Sequence, residues 1–313
     1  VFGSARLDCA QNREQLLARC TILRCNMEKS GIHYRNSKRQ KTAVWIVWGI
    51  VTLYAITLVV PFIWTLFSAF KTEREFAESA LSFSWHWDNM VRTFTELEVD
   101  GVNFIAMIVN SLLFSGIHLL PAIFVPFFAA YACSKFPSKF TKGFYWLQLL
   151  IMSIPTLGSF PAYYKLLVAF GIKNNYSMIW ILSCSGGGMM FFLFHSFLNG
   201  VSWTYAEAAK IDGAGNWHIM FQIMLPMAKG IVIAQAVVTF IGFWNDYSGP
   251  MLYMNEYPTI AVGLYRFHTL QMTRANRPIF FMGVIYSLIP TVILFVCFSK
   301  TFMSSITIGG LKG

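Results

Sequence analysis

The chain has 313 residues, of which 56% are hydrophobic, 17% aromatic and only 12% charged, with a net charge of +10. Soluble domains carry about 25% charged residues, so this composition excludes an ordinary soluble globule and places the chain in the membrane class. The positive charge does not make a nucleic-acid footprint, because the basic residues are scattered at the ends of apolar runs.

Residues 1–42 are polar and basic, and the apolar run that follows is too long for a cleavable signal peptide, so it reads as a retained anchor. Residues 1–26 lack an apolar period and precede Met27, which opens an ordinary basic lead into a membrane helix. They read as an upstream extension. Stretches without Asp, Glu, Lys or Arg then occupy 43–70, 104–134, 143–164, 174–206, 230–245 and 278–299. Spanning lipid takes about 20 apolar residues, and a central charge costs roughly 2.5–3.5 kcal/mol. Five stretches meet that length; the 230–245 run meets it if it starts near Leu225 with Lys229 reaching to the interface. The expected fold is all-α, with about six transmembrane helices over 43–303 and a cytoplasmic tail at 304–313.

With the N-terminus inside, the inner segments hold twice as many Lys and Arg as the outer ones, so both termini are expected in the cytoplasm. Pro121, Pro126, Pro155, Pro161, Gly186-Gly187-Gly188 and Pro290 interrupt the runs. Such breaks survive in a bilayer as packing kinks or where they line a cavity. Cys9, Cys20, Cys25, Cys133, Cys184 and Cys297 show no paired spacing, which argues for small apolar side chains rather than a metal site.

Between the fourth and fifth runs lies the polar island EAAKIDGAGNWHIMFQIMLP, residues 207–226. Thr204 to Glu207 has the spacing of a capping box, helix formers continue to Ile211, and Gly213 suits a left-handed stop. The loop 203–226 is thus expected to hold a short cytoplasmic helix, a glycine break and a second apolar segment leading into the fifth span. Such a helix is either an interfacial filler or a knob for a groove on another protein. No G-x-x-x-x-G-K-[ST] loop is present, so ATP energy would have to come from elsewhere. A proton- or sodium-driven carrier would place ionisable groups mid-membrane, and these runs hold almost none; paired carboxylates and His-rich clusters of a membrane enzyme are missing too.

The spacing of Glu207-Ala208-Ala209, Gly213, Ile223 and Leu225-Pro226 resembles the EAA loop of the membrane subunits of binding-protein-dependent ABC importers. The added Asp212-Gly213-Ala214 is similar to the carbohydrate, maltose-type branch. Asn110-Ser111, Ala130-Tyr131-Ala132, residues 154–176, Trp244-Asn245-Asp246 and the terminal Gly309-Gly310-Leu311-Lys312-Gly313 resemble further family stretches, over roughly 43–313. Two departures stand out: Trp203 lies where the family has a proline before the EAA glutamate, and Gly230 where it has one after Leu-Pro.

The resemblance implies a type I importer permease in the prokaryotic cytoplasmic membrane, paired with a second homologous permease subunit, two ATP-binding subunits and an extracytoplasmic solute-binding protein. ATP and Mg would be used by the partner ATPase subunits, with no cofactor or metal held by this chain. Glu207, Ala208, Ala209, Asp212, Gly213, Ala214, Ile223, Leu225 and Pro226 would couple to the ATPase. Acidic residues of 71–103 and the loop 249–277 would meet the binding protein. Asn110, Ser111, Gln148, Asn245 and Tyr247 are candidates for the translocation path, and Trp146 and Trp180 for stacking on sugar rings; interfacial anchoring or helix–helix bonding is the other reading of each. His118 and His195 read as neutral, hydrogen-bonded histidines. Amino acids, peptides or polyamines are the alternative cargo, and an ion-coupled carrier the rival class.

Overall fold

The computed structural model describes residues 38–79, 82–154, 158, 160–176, 180–184, 187–270 and 276–310. Readings placed on residues 1–37, Pro155, Gly186 and Leu311-Lys312-Gly313 lie outside the described residues. Two compact units divide the chain, one ending at Phe62 and the other running from Ile63.

Helix α1 (Lys38–Ala69) is the first described element, and every side chain from Val44 to Phe62 is exposed. Such a helix, apolar all round and unburied, is built to face lipid.

In the second unit, side-chain caps start three of the helices. Thr72 opens α2 (Glu73–Glu78) with a capping box to Glu75. After α3 (Asp88–Glu96) a two-residue hairpin pairs β1 (Glu98–Val99) with β2 (Val102–Asn103). Its turn residues Asp100 and Gly101 both have positive φ, as the twist of a tight hairpin requires. The Asn103 side chain then accepts from the Ala106 amide at 2.9 Å and starts α4 (Phe104–Lys135). At 32 residues and a rise of about 1.5 Å each, α4 is about 48 Å long, enough to cross a bilayer. Ser138 caps α5 (Lys139–Ser153), and α6 (Phe160–Ala169) follows. A 3₁₀ turn at Trp180–Ser183 precedes α7 (Met189–Gly200), α8 (Thr204–Ile211), α9 (Asn216–Met227) and α10 (Lys229–Asn245). The chain closes with α11 (Ser248–Tyr253), α12 (Ile260–Leu270) and α13 (Arg277–Gly310), the last bridging Pro290 without a break.

Among the described residues, three helices are long and apolar enough to cross a membrane, over Val44–Ala69, Phe104–Lys135 and Arg277–Ser299. The pair α9–α10, bent by 75°, adds a fourth crossing when taken together. The third and fourth expected spans, interrupted in sequence at Pro155, Pro161 and Gly186-Gly187-Gly188, are each divided among the described residues. Ile154 is extended (φ −84, ψ 120) and ends α5, because a residue preceding proline is pushed out of the α region. Gly188, at φ +76, stands ahead of α7, so run 174–206 divides into a 3₁₀ turn and a 12-residue helix. Absence of charge made both runs compatible with lipid but did not make them continuous.

Helix α4 is the axis of this unit and packs against α7, α10 and α12. Its C-terminal half joins the largest cluster, in which Phe127, Ala130 and Tyr131 meet Phe191, Phe194 and Leu198 of α7, Ala206 of α8, and Ile219, Met220 and Met224 of α9. Near the hairpin, Leu97, Phe104 and Met107 pack with Trp244, Ile260 and Ile279. Between them Phe114 joins Leu167, Ile172, Tyr253 and Met254. One long helix therefore ties the two ends of the bundle together.

Candidate functional site

The polar island forms a short helix with one face anchored. Ala206 is fully buried, Ala209 and Ala214 pack against the same cluster, and Glu207, Ala208, Lys210 and Asp212 are exposed. Tyr205, Ile211 (87% exposed) and Trp217 (72%) also point away from the core. Large apolar side chains offered by an otherwise polar loop suit a partner surface better than water.

The predicted Thr204–Glu207 capping box does not form. Trp203, with helical backbone angles, is the cap residue and makes no side-chain cap bond. That frame makes Thr204 the first helical residue and puts Glu207 one position too late for the reciprocal bond. Ser202 serves instead: its Oγ accepts from the Thr204 amide at 3.3 Å and pairs with Thr204 Oγ1 at 2.8 Å. The glycine stop is as expected. Gly213 has φ +84, its N–H donates to Lys210 O, and the Ala214 N–H reaches back to Ala209 O at 2.9 Å, a Schellman closure.

Trp203 ties this helix to the end of α4. The ammonium groups of Lys210 and Lys135 lie 5.2 and 5.8 Å from its ring centre, and the Phe136 ring meets it edge-on at 5.9 Å. Lys135 Nζ also donates to Val201 O at 2.7 Å. Beyond the glycine break, α9 passes through a π turn over Met220–Met224. Pro226, which cannot donate to the carbonyl four residues back, follows at once. Ile223 and Leu225 pack into the cluster, Pro226 is exposed, and the chain bends at Ala228 into α10. Packing therefore joins α8 to the bundle by two routes, through Trp203 to α4 and through α9 to α10.

The five path candidates scatter. Asn110 Nδ2 donates to Pro258 O at 3.1 Å, and Ser111 Oγ accepts from the Ile260 amide at 2.7 Å, so this pair pins the start of α12 to α4. Asn245 Nδ2 bonds Ile241 O in its own helix, and the exposed Tyr247 ring stacks on Tyr265 at 5.0 Å. Gln148 is buried directly against Gly187, where an added Cβ would overlap its Oε1. In the Trp244-Asn245-Asp246 stretch, Trp244 Nε1 donates to Ser287 O at 2.9 Å, and Asp246 Oδ1 accepts from the Ser248 and Gly249 amides. Trp146 and Trp180 are exposed.

A cavity among the described residues lies elsewhere. A space of about 390 Å³ is lined by His118, Ala122 and Pro126 of α4, Tyr163 of α6, Leu182 and Ser183, Gly187, Met190 of α7, Thr239 and Phe243 of α10, and Tyr253 of α11. Its lining on α4 is centred on Ala122, about 27 Å from the start of the helix and about 20 Å from its end at 1.5 Å per residue. None of the five candidates lines it, although Gln148 braces the Gly187 wall. His118 is bonded as expected, Nδ1 lying 2.8 Å from Phe114 O, yet it belongs to this lining. The available signal was Pro126 two turns further along the same helix.

At the opposite end from α8, part of the acidic surface is already engaged. Glu75 accepts from the Thr72 amide and from Ser84, with His86 at 3.2 Å, and its carboxyl is held at about 2. Glu96 is paired with Arg92, and Asp100 with Arg266 at 2.6 Å. Glu73, Glu78, Asp88 and Glu98 remain exposed.

Long apolar helices packed around a mid-bundle cavity, with a short, exposed polar helix at one end, define a multi-pass membrane protein. The family model described as "Binding-protein-dependent transport system inner membrane component" matches residues 122–299, more than half of the chain. The chain belongs to that family, and it is thus a transport component rather than an enzyme. It is 28% identical over 275 residues to the "Probable ABC transporter permease protein YurM" of Bacillus subtilis (strain 168), covering 85% of this chain and 88% of that one. It is 29% identical over 267 residues to the "Maltodextrin transport system permease protein MdxG" of the same organism, covering 84% and 94%. Its fold matches a solved bacterial ABC transporter involved in the import of the acidic polysaccharide alginate, with a TM-score of 0.69 and 18% identity over 84% of this chain and 98% of that one.

Proposed function

We propose that this chain is a permease subunit of an ATP-driven, binding-protein-dependent importer of carbohydrate, forming half of the translocation pathway in a prokaryotic cytoplasmic membrane with both termini inside. It pairs with a second homologous permease, two ATP-binding subunits and an extracytoplasmic solute-binding protein. ATP and Mg act at the ATPase partners. The maltodextrin permease among its relatives supports a sugar or oligosaccharide as cargo.

The observation that carries the reading is α8: a short helix anchored by Ala206, stopped by Gly213, with Glu207 exposed in its first turn. A carboxylate there is favoured by the helix dipole and is available to basic or amide groups of an ATPase cleft. Closure of the ATPase pair pulls α8, and the packed routes through Trp203 and α9 pass the displacement to α4 and α10, which wall the cavity. Glu207→Arg reverses the charge at this contact. Gly213→Val forces a β-branched residue into a left-handed conformation that costs L-residues about 1–2 kcal/mol. Both variants are expected to insert in the membrane and to lose the ATPase or its coupling. Unchanged ATPase association and sugar uptake in both would eliminate this role.

A further inference from the structure

We infer that this chain carries a site for the headgroup of an anionic phospholipid, in a groove where α5 meets α7 at the α8 end of the bundle. The lipid comes from the leaflet on that side, which the orientation proposed above makes cytoplasmic; the inference is otherwise independent of the cargo.

The groove, about 180 Å³ in volume, is lined by Lys142, Tyr145 and Trp146 of α5 and His195 of α7, with Cys133 and Pro137 on the side of α4. Those last two bracket Lys135 and Phe136, which contact Trp203 and so fix the groove near α8. The Lys142 ammonium group has no hydrogen-bond or ion-pair partner among the described residues. Asn199 Nδ2 lies 3.3 Å from His195 Nδ1. An amide nitrogen only donates, so Nδ1 accepts and the proton of the neutral ring sits on Nε2, a second donor. The ring is held by contacts with Tyr145 at 5.0 Å and Phe191 at 5.8 Å. No Asp or Glu lines the groove, and the sequence has none from residue 101 to 206. A cation and a neutral donor without a carboxylate suit phosphate oxygens.

The surface beside the groove points to a lipid rather than a soluble anion. Lys139, Lys142, Trp146 and Leu150 recur at helical spacing and share one face of α5. All four are exposed, Trp146 at 69% and Leu150 at 58%. Along this face charge gives way to an indole and then to an aliphatic side chain, the order in which a phospholipid presents phosphate, interface and acyl chain. Leu147 and Ile151, also exposed, widen the apolar part. The groove is smaller than the range of about 300–1,000 Å³ usual for small-molecule sites, so it takes a headgroup while the chains lie outside against α5. Basic pockets between helices on the cytoplasmic side suit such headgroups.

The test titrates the complete detergent-purified complex with phosphatidylglycerol or phosphatidylcholine, with and without inorganic phosphate, and counts bound lipid by native mass spectrometry. The expected result is one phosphatidylglycerol per copy of this chain, which neither phosphatidylcholine replaces nor inorganic phosphate displaces. Lys142→Gln weakens that binding about tenfold, Lys142→Arg keeps most of it, and His195→Phe, which retains the ring contacts but not the donor, weakens it as well. Lys139→Gln removes the same charge from the same face outside the groove and weakens binding much less. An equal loss from Lys139→Gln would overturn the groove in favour of diffuse surface attraction, and unchanged binding in Lys142→Gln would overturn the site. Phosphatidylcholine bound as tightly would overturn the charge class, and displacement by inorganic phosphate would overturn the lipid as the source of the anion. The readout is binding to whatever assembly the tagged chain brings down, so a failure of the importer reading is told apart from a failure of this site.

Discussion

Replacing Trp203 with alanine removes three contacts that join α8 to the end of α4. Two are cation–π contacts, to Lys210 at 5.2 Å and Lys135 at 5.8 Å, each about 0.5–1 kcal/mol where exposed. The third is the edge contact with Phe136 at 5.9 Å, about 0.5–1.5 kcal/mol. Together they amount to about 1.5–3.5 kcal/mol, or roughly a tenfold to three-hundredfold rise in the population of a detached α8 at 1.4 kcal/mol per factor of ten. Hydrogen exchange of the amides in 206–214, measured on the detergent-extracted complex, reads this opening directly. Trp203→Ala is expected to exchange faster by that factor, Trp203→Phe less so, and Lys210→Met by the smaller amount of one lost contact. Exchange within twofold of the parent in Trp203→Ala would refute the argument that this ring fastens the helix.

Gly187→Ala drives a Cβ into Gln148, and overpacking of this kind costs about 1–3 kcal/mol. Thermal melting of the complex is expected to fall, and adding Gln148→Ala to recover most of the loss. Asp246→Ala removes the acceptor of the Ser248 and Gly249 amides; melting should drop by the equivalent of about 1 kcal/mol, as for other lost turn and cap acceptors, with Asp246→Asn retaining most of it. The Glu75 carboxyl is held at about 2 against 4.5 for an ordinary glutamate, chiefly by the Thr72 amide and then by the Ser84 and Thr72 hydroxyls. A lowered folded pKa contributes order above pH 4.5, and that contribution is lost as pH falls through about 2. Pepsin cleavage around residues 72–86 should therefore rise over this interval relative to Glu75→Gln, and parallel profiles for the two would exclude the effect.

The architecture was readable wherever one physical signal decided it. Charge-free runs at 43–70, 104–134 and 278–299 became α1, α4 and the membrane part of α13, because in lipid an uncharged run of that length has few alternatives to a helix. Gly213 was legible as a stop because few residues other than glycine adopt its backbone angles. The capping box failed by a single residue of frame, which spacing alone cannot fix once Ser202 competes for the Thr204 amide. Site residues were hardest. Asn110 and Ser111 are consumed by partners at Pro258 and Ile260, and His118 gained its cavity from walls contributed by α6, α7, α10 and α11. Such pairings are set by packing between distant segments, and local sequence carries no record of them.

The coupling role of α8 is tested most directly by tagging the chain at its C-terminus in native membranes, extracting it in mild detergent and identifying its companions by mass spectrometry, with Glu207→Arg in parallel. The account predicts an ATPase and a second permease with the parent chain, and loss of the ATPase or of its sugar-coupled hydrolysis in the variant. Recovery of the chain alone, taking up solute on an ion gradient without ATP, would contradict it.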